Sequence, residues 1–326
     1  MISMKKIAEE LGVSRTTVSF VLNGRQDVMR ISPELSEKIR TAAARLGYVR
    51  NELANSIVNG RSRSVALVAL LEDFVMPNVD GFCAAAAKYG YSVRIISAAA
   101  RNINDTLMSA LSYRVEGIYA VNIPRENWKL IRPDFYRYRI PVIGLDDASN
   151  EAIFDFVRSA EAAVDYLLDR GHRKIVCFTD KSGDVRRLEE GYRNVMLRNH
   201  LKPKYFRFKS DYRTGKMGEY DELLDAKPEA VFCVSNFFAY DLLRFLYSRE
   251  FFVPKTFSVI SFGRSGISCA SPPLTSVDDM RYECGWRAFE DIYREIEPES
   301  LPGHTPKPFI GKLFIRKSVA DRSASA

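Results

Sequence analysis

Arg15, Thr16, Ser19, Phe20 and Asn23 fall on one face of a short helix, Thr17 lies at its edge, and Val18, Val21 and Leu22 fall on the opposite face. The polar face carries a guanidinium, an amide, hydroxyls and one ring. These groups bond phosphate oxygens and the edges of base pairs, so the chemistry expected of them is the reading of a DNA groove. Arg15, at the helix start, presents a fork that matches guanine N7 and O6, and Phe20 can offer only apolar contact, as to a thymine methyl. Base reading is therefore assigned to Arg15, Thr16 and Phe20, and phosphate contact to Ser14, Thr17, Ser19 and Asn23. The competing reading of Phe20 is packing against Asn23 or the following helix.

The elements that would hold this face follow from caps and spacing. Met4, Ile7, Ala8 and Leu11 recur at helical intervals behind Ser3, a good N-cap residue; Gly12 ends that helix and Ser14 caps the next. Two helices joined by a tight turn containing Gly make a helix-turn-helix. A third helix is predicted from Ser32 as N-cap and Pro33 as first helical residue, with Leu35, Ile39, Ala42, Ala43 and Leu46 inward and Gly47 as the stop. Residues 50–58 could form one more helix, capped by Asn51 and too short to persist alone; it should fold only when paired with a second copy on DNA.

From Val65 the pattern changes to short apolar runs between longer helical stretches. Residues 65–71, 91–97, 117–121, 141–145, 174–178, 230–234 and 258–262 read as buried parallel strands, and 156–170 and 187–199 as helices between them. The fold class predicted is α/β: a three-helix head followed by a doubly wound body. A ligand of such a body sits beyond the carboxyl ends of its strands.

At 326 residues the chain is too long for the head alone. Its net charge of +7, with Lys5, Lys6, Arg15, Arg25, Arg30 and Arg40 among the head's cations, suits a polyanionic partner, although a basic surface also serves solubility. No apolar leader follows Met1 and no run of 18 apolar residues occurs, so a cytoplasmic protein without a membrane partner is expected. The 5 cysteines are odd in number and lie mostly in apolar contexts, which favours buried thiols over disulfides. The 3 histidines are far apart, so no metal site is expected. No G-x-G-x-x-G, Walker A or G-x-S-x-G pattern occurs, and nothing assembles a nucleophile, a base and its orienter. Neither a cofactor nor a catalytic residue is assigned.

GVSRTTVSFVLNG, followed by ISPELSEKIRTAAARLGYVRNELANSI, resembles the head and hinge of the lactose/galactose repressor family of bacterial transcription regulators. The resemblance continues through YRVEGIYAV, IPVIGLD, LLDRGHRKIVCFT, VPKTFSVISF, SPPLTSVD and FIRKS in the same order. It implies a DNA-binding head at 1–48, a hinge helix and linker at 49–63 and a periplasmic-binding-protein-like body at 64–326. The body would divide into one subdomain of 64–156 with 280–311 and another of 157–279 with 312–320, the chain crossing between them three times. The implied function is repression of transcription from a pseudo-palindromic double-stranded DNA operator held by a homodimer. In the hinge, Asn51, Ala54 and Ile57 would meet DNA, with Ile57 at the position of the family's minor-groove wedge and Arg50 where a proline is usual. Dimer contacts are expected around 78–89 and among Phe237, Phe238, Tyr240, Phe245, Tyr247, Phe251 and Phe252. No heptad follows Ser318, so nothing larger than a dimer is expected.

Four family anchors for a sugar or purine effector can be placed. Asp146 matches one; Leu188 stands at an arginine position, with Arg186 and Arg187 out of register; Ser235 and Asn236 replace Asn-Asp; Gly263 and Arg264 replace Asp-Asp. Each lost carboxylate removes on the order of 1.5 to 3 kcal/mol of charge-assisted bonding to hydroxyls. The site so altered is richer in donors, which points to a sugar acid or sugar phosphate held by Asp146 with Arg187 or Arg264 beside Phe74, Ser235 and Asn236. A degenerate cleft controlled by another protein is the alternative, and a ligand could act as inducer or corepressor. A small-molecule receptor or enzyme tethered to DNA is the second reading of the whole chain.

Overall fold

The computed structural model describes residues 2–49, 60–99, 102–180, 185–208, 220–263, 270–301 and 307–323. The chain forms two compact units, Met1–Ser62 and Arg63–Ala326.

In the first unit, α1 is Met4–Leu11, α2 is Arg15–Leu22 and α3 is Pro33–Arg45, with a 3-10 turn at Gln26–Met29 before α3. Gly12 ends α1 at φ 65°, a left-handed conformation that favours glycine. Ser14 caps α2 by accepting the Thr17 N–H at 3.0 Å, and Ser32 caps α3 by accepting that of Leu35 at 3.2 Å. Ser3 differs from expectation: it has an extended N-cap backbone, but its side chain makes no cap bond. Ile7, Val18 and Ile39 are wholly buried where the three helices meet, and each contributes about 1.5 to 3 kcal/mol. Residues 50–58, with the hinge assignments Asn51, Ala54 and Ile57, lie outside the described residues.

The second unit has two sheets. The first holds β1 (Ser64–Ala69), β2 (Ser92–Ser97), β3 (Ile118–Val121) and β4 (Val142–Ile143), all parallel, in the order β2-β1-β3-β4. Its first crossover helices are α4 (Met76–Lys88) and α5 (Ile103–Ser112). The short α6 (Arg125–Trp128) follows β3, and α7 (Asp147–Ile153) and α8 (Phe156–Asp169) follow β4. The second sheet contains β5 (Ile175–Asp180), β6 (Lys204–Phe208), β7 (Ala230–Cys233), β8 (Ser258–Phe262), β9 (Thr275–Val277) and β10 (Leu313–Phe314), in the order β10-β9-β8-β7-β5-β6. Its strands are parallel except where β10 meets β9. Helices α9 (Arg186–Arg198), α10 (Asp221–Asp225), α11 (Asn236–Ser248) and α12 (Arg281–Ile296) complete the described α-helices.

All seven predicted strands are present, although the expectation that each is buried fails for β2. That strand forms a sheet edge, and Ile95 is 48% exposed. In β1 the alternation of a strand separates two cores: Val65, Leu67 and Ala69 join the cluster that includes Phe82 and Phe289, and Ala66 and Val68 meet Ile103, Leu107 and Ala110. Helix α12 returns from the second sheet to pack along α4. Gly81 and Gly285 permit that approach: a Cβ on Gly81 would lie 1.9 Å from the Tyr282 carbonyl oxygen, and one on Gly285 2.0 Å from that of Asn78.

The chain passes between the sheets near 153–156, 278–281 and 309–312. These passages are bonded to each other: Phe309 N–H donates to Ile153 O at 2.8 Å, Asp155 N–H to Phe309 O at 2.8 Å, and Asp278 N–H to Lys312 O at 2.8 Å.

Candidate functional site

On the head, Ser14, Arg15 and Thr16 are exposed, and Thr17, Ser19, Phe20 and Asn23 are half-buried. The hydroxyls are positioned by one another and by the helix: Ser14 Oγ and Thr17 Oγ1 lie 2.8 Å apart, and Asn23 Nδ2 donates to Ser19 Oγ at 3.1 Å. The Phe20 ring meets a residue that the sequence reading counted among the head's cations but did not place on this face. The Arg25 guanidinium lies over it, 5.5 Å from the centroid, which joins an apolar surface to a cation. Arg25 follows Gly24 at φ 67°, and that turn brings the side chain back to α2.

In the body a cavity of about 470 Å³ lies beyond the carboxyl ends of β3, β7 and β8, where an open α/β sheet binds ligands. Phe74, Arg187, Ser235 and Asn236 line it as expected. Phe74 sets its ring edge-on to Phe237 at 5.8 Å, and Arg281 lies over Phe74 at 4.9 Å. Ser235 caps α11 by accepting the Phe237 N–H at 3.2 Å. Asn236 is buried, and its Oδ1 accepts from Ser261 Oγ at 3.0 Å. Gly263 has φ 103°, and a Cβ there would lie 2.9 Å from Asn236 Nδ2, so a side chain at 263 would collide with the asparagine.

Asp146 requires a correction. It is exposed and does not line the cavity; its Oδ1 accepts the Ser149 N–H at 2.6 Å as the N-cap of α7. The chain turns at Gly144, φ 96°, directly after a strand of only two residues, and this carries the next carboxylate, Asp147, to the cavity instead. Arg264 lies outside the described residues.

The charge pattern also differs from the donor-rich site expected. Among the described residues the cavity is lined by the cations Arg125, Arg187 and Arg281 and the carboxylates Asp147, Glu151 and Asp279, and each arginine is bonded to an acid. Arg125 Nη1 donates to Asp147 at 2.7 Å; Arg187 donates to Glu151 at 2.5 Å and to Glu190 at 2.9 Å; Arg281 is paired with Asp279. The two carboxylates hold Arg187 firmly in its charged form. Burial raises the Asp279 carboxyl above its ordinary value, an effect the Arg281 charge opposes. Burial also pushes the Cys284 thiol up to about 12, so it stays protonated at neutral pH. The sequence reading passed over Arg125, Trp128, Asp147, Glu151, Asp279 and Arg281. A signal was present for two of them: Arg125 and Trp128 stand three apart directly after a strand end, and the guanidinium lies over the indole at 5.2 Å.

Among the described residues no group of three or more His, Cys, Asp and Glu side chains is placed to hold a metal ion, and no helix is long and apolar enough to cross a membrane.

Residues 3–51 match the family described as bacterial regulatory proteins, lacI family, and residues 164–319 match the periplasmic binding protein-like domain. The ribose operon repressor of Escherichia coli (strain K12) is 28% identical over 319 residues, covering 92% of this chain and 95% of that one. The transcriptional repressor PurR of Vibrio atlanticus is 25% identical over 321 residues, covering 91% and 92%. Among solved structures, the lac repressor dimer bound to operator and the anti-inducer ONPF shares the fold with a TM-score of 0.80 at 19% identity, covering 98% of this chain and 99% of that one.

Proposed function

The chain belongs to the lacI family of bacterial regulatory proteins, and from that premise we propose that it represses transcription as a homodimer on a two-fold operator, under the control of a small molecule in the body's cleft. The observation that carries the DNA half is the exposed start of α2, where the Ser14 cap fixes the helix and leaves Arg15 and Thr16 facing outward. In this reading Arg15, Thr16 and Phe20 read bases; Ser14, Thr17, Ser19 and Asn23 hold phosphates; Arg25 adds a cation beside Phe20. Residues 49–63 form the hinge, with Asn51 as its cap, Ala54 at the groove and Ile57 as an apolar wedge that unstacks one base step. The two subdomains of the body comprise 64–156 with 280–311 and 157–279 with 312–320. The protein acts in the cytoplasm, on the nucleoid. Selection of bound duplexes from random DNA tests the reading: a palindromic consensus supports it, and recovery of unrelated sequences overturns it.

The ligand half rests on the cleft's balanced charge. Because each lining arginine among the described residues already has a carboxylate partner, an anion would have to displace one, whereas hydroxyl groups can bond to both members of a pair. Aromatic rings beside such pairs, Phe74 and Phe237 set edge-on among them, suit the apolar face of a sugar. A neutral sugar is therefore favoured over the sugar acid or phosphate suggested by the substitutions alone. Calorimetry of the full chain against D-ribose, D-glucose and D-galactose, with their acid and phosphate forms, decides between them. Binding confined to the charged forms would overturn this choice.

A further inference from the structure

We propose that Asn78 and Tyr119 form a hydroxyl-selective subsite in this cleft, a polar pair that takes one O–H group of the ligand and discriminates against an apolar group at that position. The proposal rests on the ligand reading above. Both residues line the cavity and each is only 4% exposed. Asn78 Nδ2 donates to Tyr119 Oη at 3.1 Å, and Asn78 Oδ1 is buried with no hydrogen-bond partner among the described residues. The tyrosine oxygen, having accepted that bond, still carries its own proton. Burial raises the phenol well above its ordinary value, so the proton is retained at any physiological pH.

The pair thus holds one acceptor and one donor side by side in the cavity wall. A hydroxyl fits both, since it donates to Oδ1 while accepting from the phenol. A carboxylate or carbonyl can only accept, and an ammonium can only donate. Turning the amide over exchanges the roles, with Nδ2 donating to the ligand and Oδ1 receiving the phenol proton, and a hydroxyl still answers. The Tyr119 ring cannot turn aside cheaply, and the backbone that carries Asn78 is fixed in place. The Tyr119 ring is stacked on Phe82 at 5.2 Å, and the backbone at Asn78 sits against Gly285, where a Cβ would come within 2.0 Å of its carbonyl oxygen. A polar pair held this rigidly and left incompletely bonded in a buried wall costs stability, and a ligand hydroxyl recovers it.

Calorimetry on the full chain tests this, using D-ribose, D-glucose and D-galactose and the monodeoxy analogue at each hydroxyl. For the tightest-binding sugar, one deoxy analogue should bind the parent protein about tenfold or more weakly. Asn78→Leu and Tyr119→Phe should each weaken that sugar by a similar factor, bring it level with that one analogue, and show no further loss when combined. Tyr119→Phe keeps the ring on Phe82, so it reports even if Asn78→Leu fails to fold. Variants that bind the sugar as the parent does, or that weaken it and every analogue equally, overturn the subsite while the ligand reading stands. Absence of binding by every sugar to the parent protein overturns both.

Discussion

Arg15 and His172 show how much a single side chain decides here. Arg15 is exposed at the start of α2, and Arg15→Ala should cost roughly 1 to 3 kcal/mol of discrimination at one base pair of each half-site. Competition with operators substituted one base at a time measures this; a uniform loss across all of them would make Arg15 a phosphate contact. His172 is wholly buried, and its Nε2 lies 3.1 Å from the Ala320 carbonyl oxygen, so that nitrogen carries the proton. Nδ1 has no partner among the described residues, and a second proton there would be buried without an acceptor. Burial accordingly lowers its pKa from 6.5, and the unfolded chain binds more protons than the folded one. Stability from this group is therefore present above 6.5 and lost as the pH falls toward the lowered folded value. Urea midpoints measured across that range should drop with acidification, and His172→Gln should reduce the slope. Individual cleft residues were harder to read from sequence than the exposed and buried faces of α2. Caps and helical spacing assign α2 its faces locally, whereas the choice of Asp147 over Asp146 depends on one left-handed glycine.

At the level of elements, caps and close crossings carry the testable claims. Ser14→Ala removes the hydroxyl that accepts the Thr17 N–H, and should lower the stability of the head by about 1 kcal/mol in thermal melts of the full chain that resolve it. Gly81→Ala forces α4 away from the Tyr282 carbonyl and should cost the body about 1 to 3 kcal/mol in denaturant unfolding. An unchanged midpoint would mean that the two helices slide apart freely. The strands that the sequence concealed have physical reasons for it. Strand β6 places Lys204 and Arg207 on a sheet edge, so no apolar run marks it. Strand β9 buries Thr275 and Ser276, whose polarity reads as a loop, and β10 is only two residues long. The α/β alternation, by contrast, was plain wherever four or more apolar residues ran together.

The whole molecule should assemble in pairs. Sedimentation at micromolar concentration is expected to give twice the 37.1 kDa chain mass, and a tetramer would overturn this. The aromatic stretch considered for the contact divides: Phe238 and Phe245 are buried in the body's core, while Tyr247, Phe251 and Phe252 are 74%, 40% and 51% exposed. Only the exposed rings are available to a second copy. Within each body, the three chain passages between the sheets constrain how the cleft can change shape. Because Phe309 bonds on both sides to 153–155 and Lys312 to Asp278, the passages form a narrow ribbon rather than three loose tethers. A ribbon resists stretching and shear but yields to torsion. A change in the cleft that keeps these bonds is therefore a twist of one half against the other about that ribbon.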